Sequence, residues 1–252
     1  GVSPGMTNRK PPGLISIASP AVEYVSKNLV SLLGLFSQYL VVVLIAGVLP
    51  PELIRPNEMV TVIQLITVIG AAPISIAIYR GIILQEAIKP SMYFPRFLLS
   101  RTWKFIGYEI LLPFIVAMGG LLAGLLGILM IAAVGGSVTT EDLNPLIILM
   151  PIIGVIAAGV FVFRFIFLFP AIATNQFESR RQCYRLMSGL RWQTFGALLV
   201  VTVPHVVMVT FLAGSDSAIA YIGIHVINLL FTAIVSAVVS IAYAHAQHRA
   251  SL

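Results

Sequence analysis

The chain has 252 residues, of which 59% are hydrophobic and only 10% are charged, and its mean hydropathy is +1.02. Ordinary soluble domains carry about 25% charged residues, so this composition excludes a soluble globular protein and indicates that lipid is the solvent. The net charge of +6 and the pI near 9.7 would favour a nucleic-acid partner only on a soluble surface.

Six segments are long and apolar enough to cross a bilayer as helices. A spanning helix needs about 20 mostly apolar residues, because the hydrocarbon core is roughly 30 Å thick and each residue rises about 1.5 Å. The six predicted spans are 29–49, 59–79, 106–134, 145–169, 195–213 and 218–242. We therefore predict an all-α polytopic membrane helix bundle, with a flexible N-terminal segment at 1–20 and a single transmembrane domain at 21–252.

Basic residues cluster on one side of the predicted spans, with Arg55 and Arg164 as the exceptions. The clustered residues are Arg9, Lys10, Lys27, Arg80, Lys89, Arg96, Arg101, Lys104, Arg180, Arg181, Arg185, Arg191 and Arg249. By the positive-inside rule, both termini and the two longer loops are expected in the cytoplasm, which places the chain in a bacterial inner membrane. The basic side then faces anionic headgroups, so membrane lipids are the expected partners and nucleic acid is not.

A weak threefold repeat accompanies the six spans. Ser100 to Trp103 precedes the third span and Ser188 to Trp192 precedes the fifth, and in both cases a glycine follows the tryptophan after four residues. Ser26 and Gly34 near the first span are eight residues apart, and Ser188 and Gly196 have the same spacing. We expect three parallel two-helix units, each led by a short cytoplasmic interfacial helix. The expected units cover about 21–90, 91–175 and 176–248.

Two tryptophan–arginine pairs in these leader segments are candidate headgroup ligands. An indole suits the headgroup boundary, because its face is apolar and its nitrogen can donate a hydrogen bond. Arg101 with Trp103 and Arg191 with Trp192 are therefore expected to bind lipid headgroups or anions.

The segment around the fourth and fifth spans resembles a known group of membrane proteins. Its residues are Phe169, Pro170, Ala171, Ile172, Arg180, Arg181, Arg185, Ser188, Arg191, Trp192 and Phe195, echoed by Trp103 and Gly107. Over about two thirds of its length the chain resembles poorly characterised bacterial six-helix integral membrane proteins. That group includes the membrane domain sometimes fused to glycerophosphodiester phosphodiesterases. The resemblance implies the architecture and carries over no catalytic residue, since the phosphodiesterase domain itself has no counterpart here.

The residues that catalysis would need do not form a pattern in this sequence. Hydrolysis or group transfer requires a nucleophile with its base, paired carboxylates or a metal cluster, and none of these is recognisable. We therefore expect a protein that is not an enzyme. The preferred interpretation is an accessory or assembly subunit that packs against other membrane protein subunits or organises lipid.

Arg164 is the most conspicuous ionisable residue, because it lies in an otherwise apolar stretch from Phe161 to Phe169. One interpretation is that Arg164, like Arg80, extends its side chain to the cytoplasmic headgroups. The alternative is a cytoplasm-facing Arg80/Arg164 pocket that binds an anionic headgroup or substrate in a small transporter or translocator. Glu86 and Glu109 are the candidate counter-charges for that pocket.

His205 and His225 are predicted to lie at a similar depth on adjacent helices. Two such histidines can ligate a b-type haem or another porphyrin from opposite sides. The alternative is that each histidine hydrogen-bonds a neighbouring helix, with Asn228 or Thr210 as partners. No cofactor is our primary prediction, and haem or pigment is the lesser alternative.

Gly120 and Gly124 form a small-residue spacing in the third predicted span. Glycines four residues apart share one helix face and let another backbone approach closely. We expect this face to pack inside the bundle, with a contact between subunits as the alternative.

Overall fold

The computed structural model describes residues 13–47, 56–133, 145–177, 179–214 and 218–251. Every regular element within these ranges is a helix, which confirms the all-α prediction. Residues 48–55, 134–144 and 215–217, and the first twelve residues of the predicted flexible segment, lie outside the described residues. The last part of that segment is helical, since the first helix begins at Ile15.

Ten α-helices occur in the described ranges. They are α1 Ile15–Lys27, α2 Leu29–Gly47, α3 Pro56–Ile83, α4 Tyr93–Arg96, α5 Ser100–Ala133, α6 Pro145–Phe163, α7 Leu168–Ala173, α8 Arg180–Ser188, α9 Arg191–Ala213 and α10 Ala218–Ala250. A 3₁₀ turn at Pro90–Met92 leads into α4. The short helices α1, α4 and α8 stand before α2, α5 and α9, which are the elements that correspond to the first, third and fifth predicted spans.

Four described helices are long and apolar enough to cross a membrane, so the chain has the character of a multi-pass membrane protein. They comprise Leu65–Ile83, Ser100–Ala133, Arg191–Leu212 and Gly223–Ala250. A fifth candidate is α1 followed by α2, which meet at a 75° bend. The described apolar part of α6, Ile148–Phe163, is shorter than these. The count of six therefore stays a prediction.

The chain divides into two compact units. The larger unit contains the residues up to Phe105 and those from Phe167 onward, and the smaller unit is Ile106–Ile166. In the larger unit α10 packs against α1, α3 and α9. Its interior holds large aromatic side chains, among them Phe167, whose ring meets the Tyr243 ring edge-on at 5.5 Å. The single domain predicted for 21–252 stays a prediction.

The short helix α4 helps to stabilise helix α3. Pro73 lies inside α3 and cannot donate the backbone hydrogen bond that its position calls for, so the helix is weakened there. Two buried side chains of α4 donate to carbonyls of this segment. The Tyr93 hydroxyl donates to the Gly70 carbonyl at 2.8 Å, and Nη1 of Arg96 donates to the Pro73 carbonyl at 3.4 Å.

In the smaller unit, the glycine face of α5 lies against α6. A Cβ on Gly120 would lie 2.7 Å from Val155, and a Cβ on Gly124 would lie 3.1 Å from Pro151. Such distances leave little room for a side chain, so the two backbones approach closely. The predicted small-residue face is thus a packing surface within the chain.

Candidate functional site

The larger unit contains a group of four interacting charged side chains, which we call the arginine cluster. Its members are Arg80, Glu86, Arg96 and Arg101. Arg80 lies in the last turn of α3, Glu86 in the following loop, Arg96 at the end of α4 and Arg101 in the first turn of α5. The end of one candidate span and the start of the next therefore meet at this cluster.

Glu86 reaches Arg80 because the chain reverses at the end of α3. Gln85 adopts the left-handed conformation, with φ of 56°, and the Glu86 N–H then donates back to the Arg80 carbonyl at 3.4 Å. A residue in this conformation commonly ends a helix and lets the following N–H groups bond to the last carbonyls of that helix. The turn brings the Glu86 carboxylate over the guanidinium of Arg80.

The guanidinium of Arg80 is fixed by three hydrogen bonds. Nε donates to Oε2 of Glu86 at 2.7 Å, and Nη2 donates to Oε1 of the same carboxylate. Nη1 donates to the Ala173 carbonyl at 3.2 Å, which ties α3 to α7. This fork-like pairing is the strong form of an arginine–carboxylate contact. The Arg80 guanidinium holds the pKa of Glu86 below its usual range, so the carboxylate is ionised at neutral pH.

Arg96 and Arg101 add positive charge beside this pair. The Arg96 side chain is only 6% exposed. Burial, with the nearby charges of Arg80 and Arg101, lowers the pKa of Arg96 to about 10, so Arg96 stays protonated at neutral pH. Nε of Arg101 is buried and has no hydrogen-bond partner among the described residues.

The arginine cluster has the chemistry of an anion site. Three guanidinium groups and one carboxylate leave an excess of two positive charges. A guanidinium offers five N–H donors in one plane, and this geometry matches phosphate or carboxylate oxygens. The unused donors of Arg80 and the unpartnered Nε of Arg101 are the atoms through which the cluster can bind a further anion.

The other predicted headgroup ligands occupy separate places. Trp103 is 55% exposed, and its Nε1 donates to the Phe97 carbonyl at 2.8 Å. The Arg191 guanidinium lies 5.1 Å from the ring centre of Trp192, which is a cation–π distance. The structure thus brings Arg80 and Arg101 into one cluster and leaves Arg191 paired with its sequence neighbour.

Arg164 belongs to the smaller unit, where it follows the last residue of α6 and is half-buried. Its backbone N–H donates to the Phe161 carbonyl at 3.2 Å. Glu109, the second candidate counter-charge, also belongs to the smaller unit. The Arg80/Arg164 pocket stays a prediction.

His205 hydrogen-bonds Asn228 of a neighbouring helix, as the alternative to haem ligation expects. Its Nε2 shares a hydrogen bond with Oδ1 of Asn228 at 2.8 Å, and its ring stacks on Phe231 with centroids 3.9 Å apart. Because Nε2 is engaged, an iron bond from this ring would have to come from Nδ1. Groups of three or more His, Cys, Asp and Glu side chains that could hold a metal ion do not occur among the described residues. Haem binding through His205 and His225 stays a prediction.

Arg96 is the member of the arginine cluster that sequence reasoning did not select. A charged residue in a loop between two spans is expected to be exposed, yet Arg96 is buried and donates to the Pro73 carbonyl. Pro73 does not predict this contact. A proline inside a span leaves the carbonyl four residues before it, here that of Ile69, without its helical donor, whereas Arg96 donates to the carbonyl of Pro73.

Comparison of the chain with protein-family models, with curated proteins and with solved structures finds no match.

Proposed function

We propose that this chain is a non-catalytic, multi-pass membrane protein that binds an anionic lipid headgroup at the arginine cluster. The observation that carries the proposal is the excess of two positive charges around Arg80, Arg96 and Arg101, in which Glu86 is the carboxylate that interacts with all three. A charge excess of this kind attracts anions most strongly when it is partly shielded from water. The side chain of Arg80 is 15% exposed, so the cluster is partly shielded.

The position of the cluster along the chain supports a headgroup as the anion. Arg80 lies three residues before the end of the candidate span Leu65–Ile83, and Arg101 is the second residue of the candidate span Ser100–Ala133. Residues at the ends of spans lie at the headgroup level, where long cationic side chains meet phosphates. An anionic phospholipid is therefore the anion that is available in greatest amount at this position.

The finer architecture belongs to the same proposal. We place six spans in a bacterial inner membrane, with both termini and the arginine cluster on the cytoplasmic side, because the basic residues concentrate there. In this arrangement the protein acts as an accessory or assembly subunit that holds lipid against a larger membrane complex. The short described segments outside the candidate spans agree with a role in packing and lipid organisation.

The proposal is tested by the lipid dependence of thermal stability. The purified chain is placed in phosphatidylcholine nanodiscs with and without phosphatidylglycerol, and its melting temperature is measured at increasing phosphatidylglycerol content. We expect stabilisation of the wild type, and an apparent affinity about tenfold lower for Arg101→Gln, since charged hydrogen bonds contribute about 1.5–3 kcal/mol.

Arg181→Gln is the matched control, because it removes the same charge from an exposed position of α8. It should leave the affinity within about twofold, since an exposed charge contributes little. Equal losses of affinity in the two variants would show that phosphatidylglycerol binds only to the overall basic surface. The headgroup site would then be refuted.

A further inference from the structure

A second feature of the larger unit, independent of the arginine cluster, is an apolar cavity between α1, α9 and α10. Its volume is about 840 Å³. Small-molecule sites in proteins commonly measure ~300–1,000 Å³. Ile15 and Val22 of α1, Val201 and Met208 of α9, and Leu230 and Ile234 of α10 are among the apolar side chains that line it.

Helix α1 forms one wall because glycines let it approach two other helices. The Leu14 side chain fills the place that a Cβ on Gly196 of α9 would take, and the Tyr24 hydroxyl does the same at Gly81 of α3. One face of α1 buries Ile17, Ala21 and Val25. The neighbouring face, which carries Ile15 and Val22, lines the cavity. The three helices therefore form the walls of a cavity that is open to the surroundings, since Ile15, Val22 and Met208 stay 78%, 46% and 48% exposed.

The cavity lies within the candidate span of α9. His205, which lines it, is about 14 residues, or roughly 21 Å, beyond Arg191 at the start of the helix. A ligand that reaches this depth comes from the hydrocarbon layer, so the ligand must carry an apolar chain.

His205 gives the cavity a specific polar group. Its Nε2 donates to Oδ1 of Asn228, and stacking on Phe231 holds the plane of the ring. In the neutral ring one nitrogen is a donor and the other an acceptor, so Nδ1 is left as an acceptor. Nδ1 has no hydrogen-bond partner among the described residues. A ligand with a hydroxyl group can supply the missing donor.

Charge in the lining indicates a neutral ligand. Glu23 is the acidic residue among the lining side chains, and it pairs with Lys27 at 2.6 Å. Because this ion pair has no net charge, the described lining residues offer no unpaired cation that could hold a fatty-acid carboxylate or a phosphate, which favours a neutral ligand. We propose that this cavity binds a neutral membrane lipid with a free hydroxyl group, of the diacylglycerol class, whose hydroxyl donates to Nδ1 of His205.

Photolabelling of the full chain tests the proposal. The probe is a diacylglycerol with a diazirine in one acyl chain, supplied in phosphatidylcholine nanodiscs, and labelled peptides are located by mass spectrometry. We expect labelling within 200–208 and 227–234. Val201→Trp and Ile234→Trp, which fill the cavity, should each reduce it about tenfold. Val207→Trp should leave it unchanged, because Val207 is 63% exposed on α9 and does not line the cavity.

Competition by unlabelled lipids tests the hydrogen bond without any variant. Diacylglycerol should compete about tenfold better than its acetylated ester, which lacks the hydroxyl, because one hydrogen bond is worth about that factor. The two competitors should become equal in His205→Leu. Three results would each overturn the proposal. The probe could label all exposed apolar positions alike, the two competitors could compete equally in the wild type, or a second copy of the chain could protect the cavity from labelling. Arg101→Gln should not change the labelling, so this result and that for the headgroup site are independent.

Discussion

Neutralising Glu86 should weaken the fold and strengthen anion binding at the same time. Glu86→Gln loses the ionic fork to Arg80, which as a charged hydrogen-bonded pair contributes about 1.5–3 kcal/mol when buried. The Glu86 side chain is 43% exposed, so solvent screening reduces the loss to about 1 kcal/mol. A loss of this size corresponds to a melting temperature roughly 2–4 °C lower for a chain of this length.

The same substitution removes the carboxylate that repels an incoming phosphate. At ~8 Å and an effective dielectric constant of ~40, one charge is worth ~1 kcal/mol, or about fivefold in affinity. Titration of phosphatidylglycerol into phosphatidylcholine nanodiscs, followed by melting temperature, measures both effects in one experiment. Glu23→Gln is the control, since Glu23 is also paired with a cation but lies outside the arginine cluster. Unchanged or weaker phosphatidylglycerol binding by Glu86→Gln would refute the view that Glu86 competes with a bound anion.

Three further outcomes follow from single groups of the larger unit. Arg80 depresses the pKa of Glu86, so the stabilisation by this pair is complete above about pH 4.5 and is lost as the pH falls through the depressed pKa. The melting curves of the wild type and of Glu86→Gln should therefore converge at a pH below that pKa. Tyr93→Phe removes the buried hydrogen bond to Gly70 and should cost about 1 kcal/mol in chemical denaturation. Burial raises the pKa of Cys183 to about 11, so N-ethylmaleimide at pH 8 should label this thiol only after denaturation.

Hydropathy predicted the four described helices that are long and apolar enough to cross a membrane, and the two further predicted spans, 29–49 and 145–169, stay predictions. The third predicted span, 106–134, overlaps α5 as far as Ala133, and the fifth, 195–213, falls within α9. The helices extend further than the predicted spans at their basic ends, because polar residues continue a helix that hydropathy no longer detects. Helix α10, for example, runs through Arg249.

The candidate site was predictable only in part, because it depends on tertiary contacts. Arg80 and Arg101 could be selected from their places at the ends of predicted spans. Arg96 is buried against a segment distant in sequence, since it donates to the Pro73 carbonyl, 23 residues away. The apolar cavity depends on where α1 packs, and neither the 75° bend after α1 nor its contact with Gly196 can be read from periodicity. The threefold repeat stays a prediction, although a short helix precedes each of α2, α5 and α9.

The most direct test of the headgroup site is an electron cryomicroscopy map of the full chain in nanodiscs that contain phosphatidylglycerol. Lipid phosphate density within hydrogen-bond distance of the Arg80 and Arg101 guanidinium groups is the expected result. Density that shows these two groups in contact only with protein and water, while ordered phosphates lie elsewhere on the surface, would contradict it.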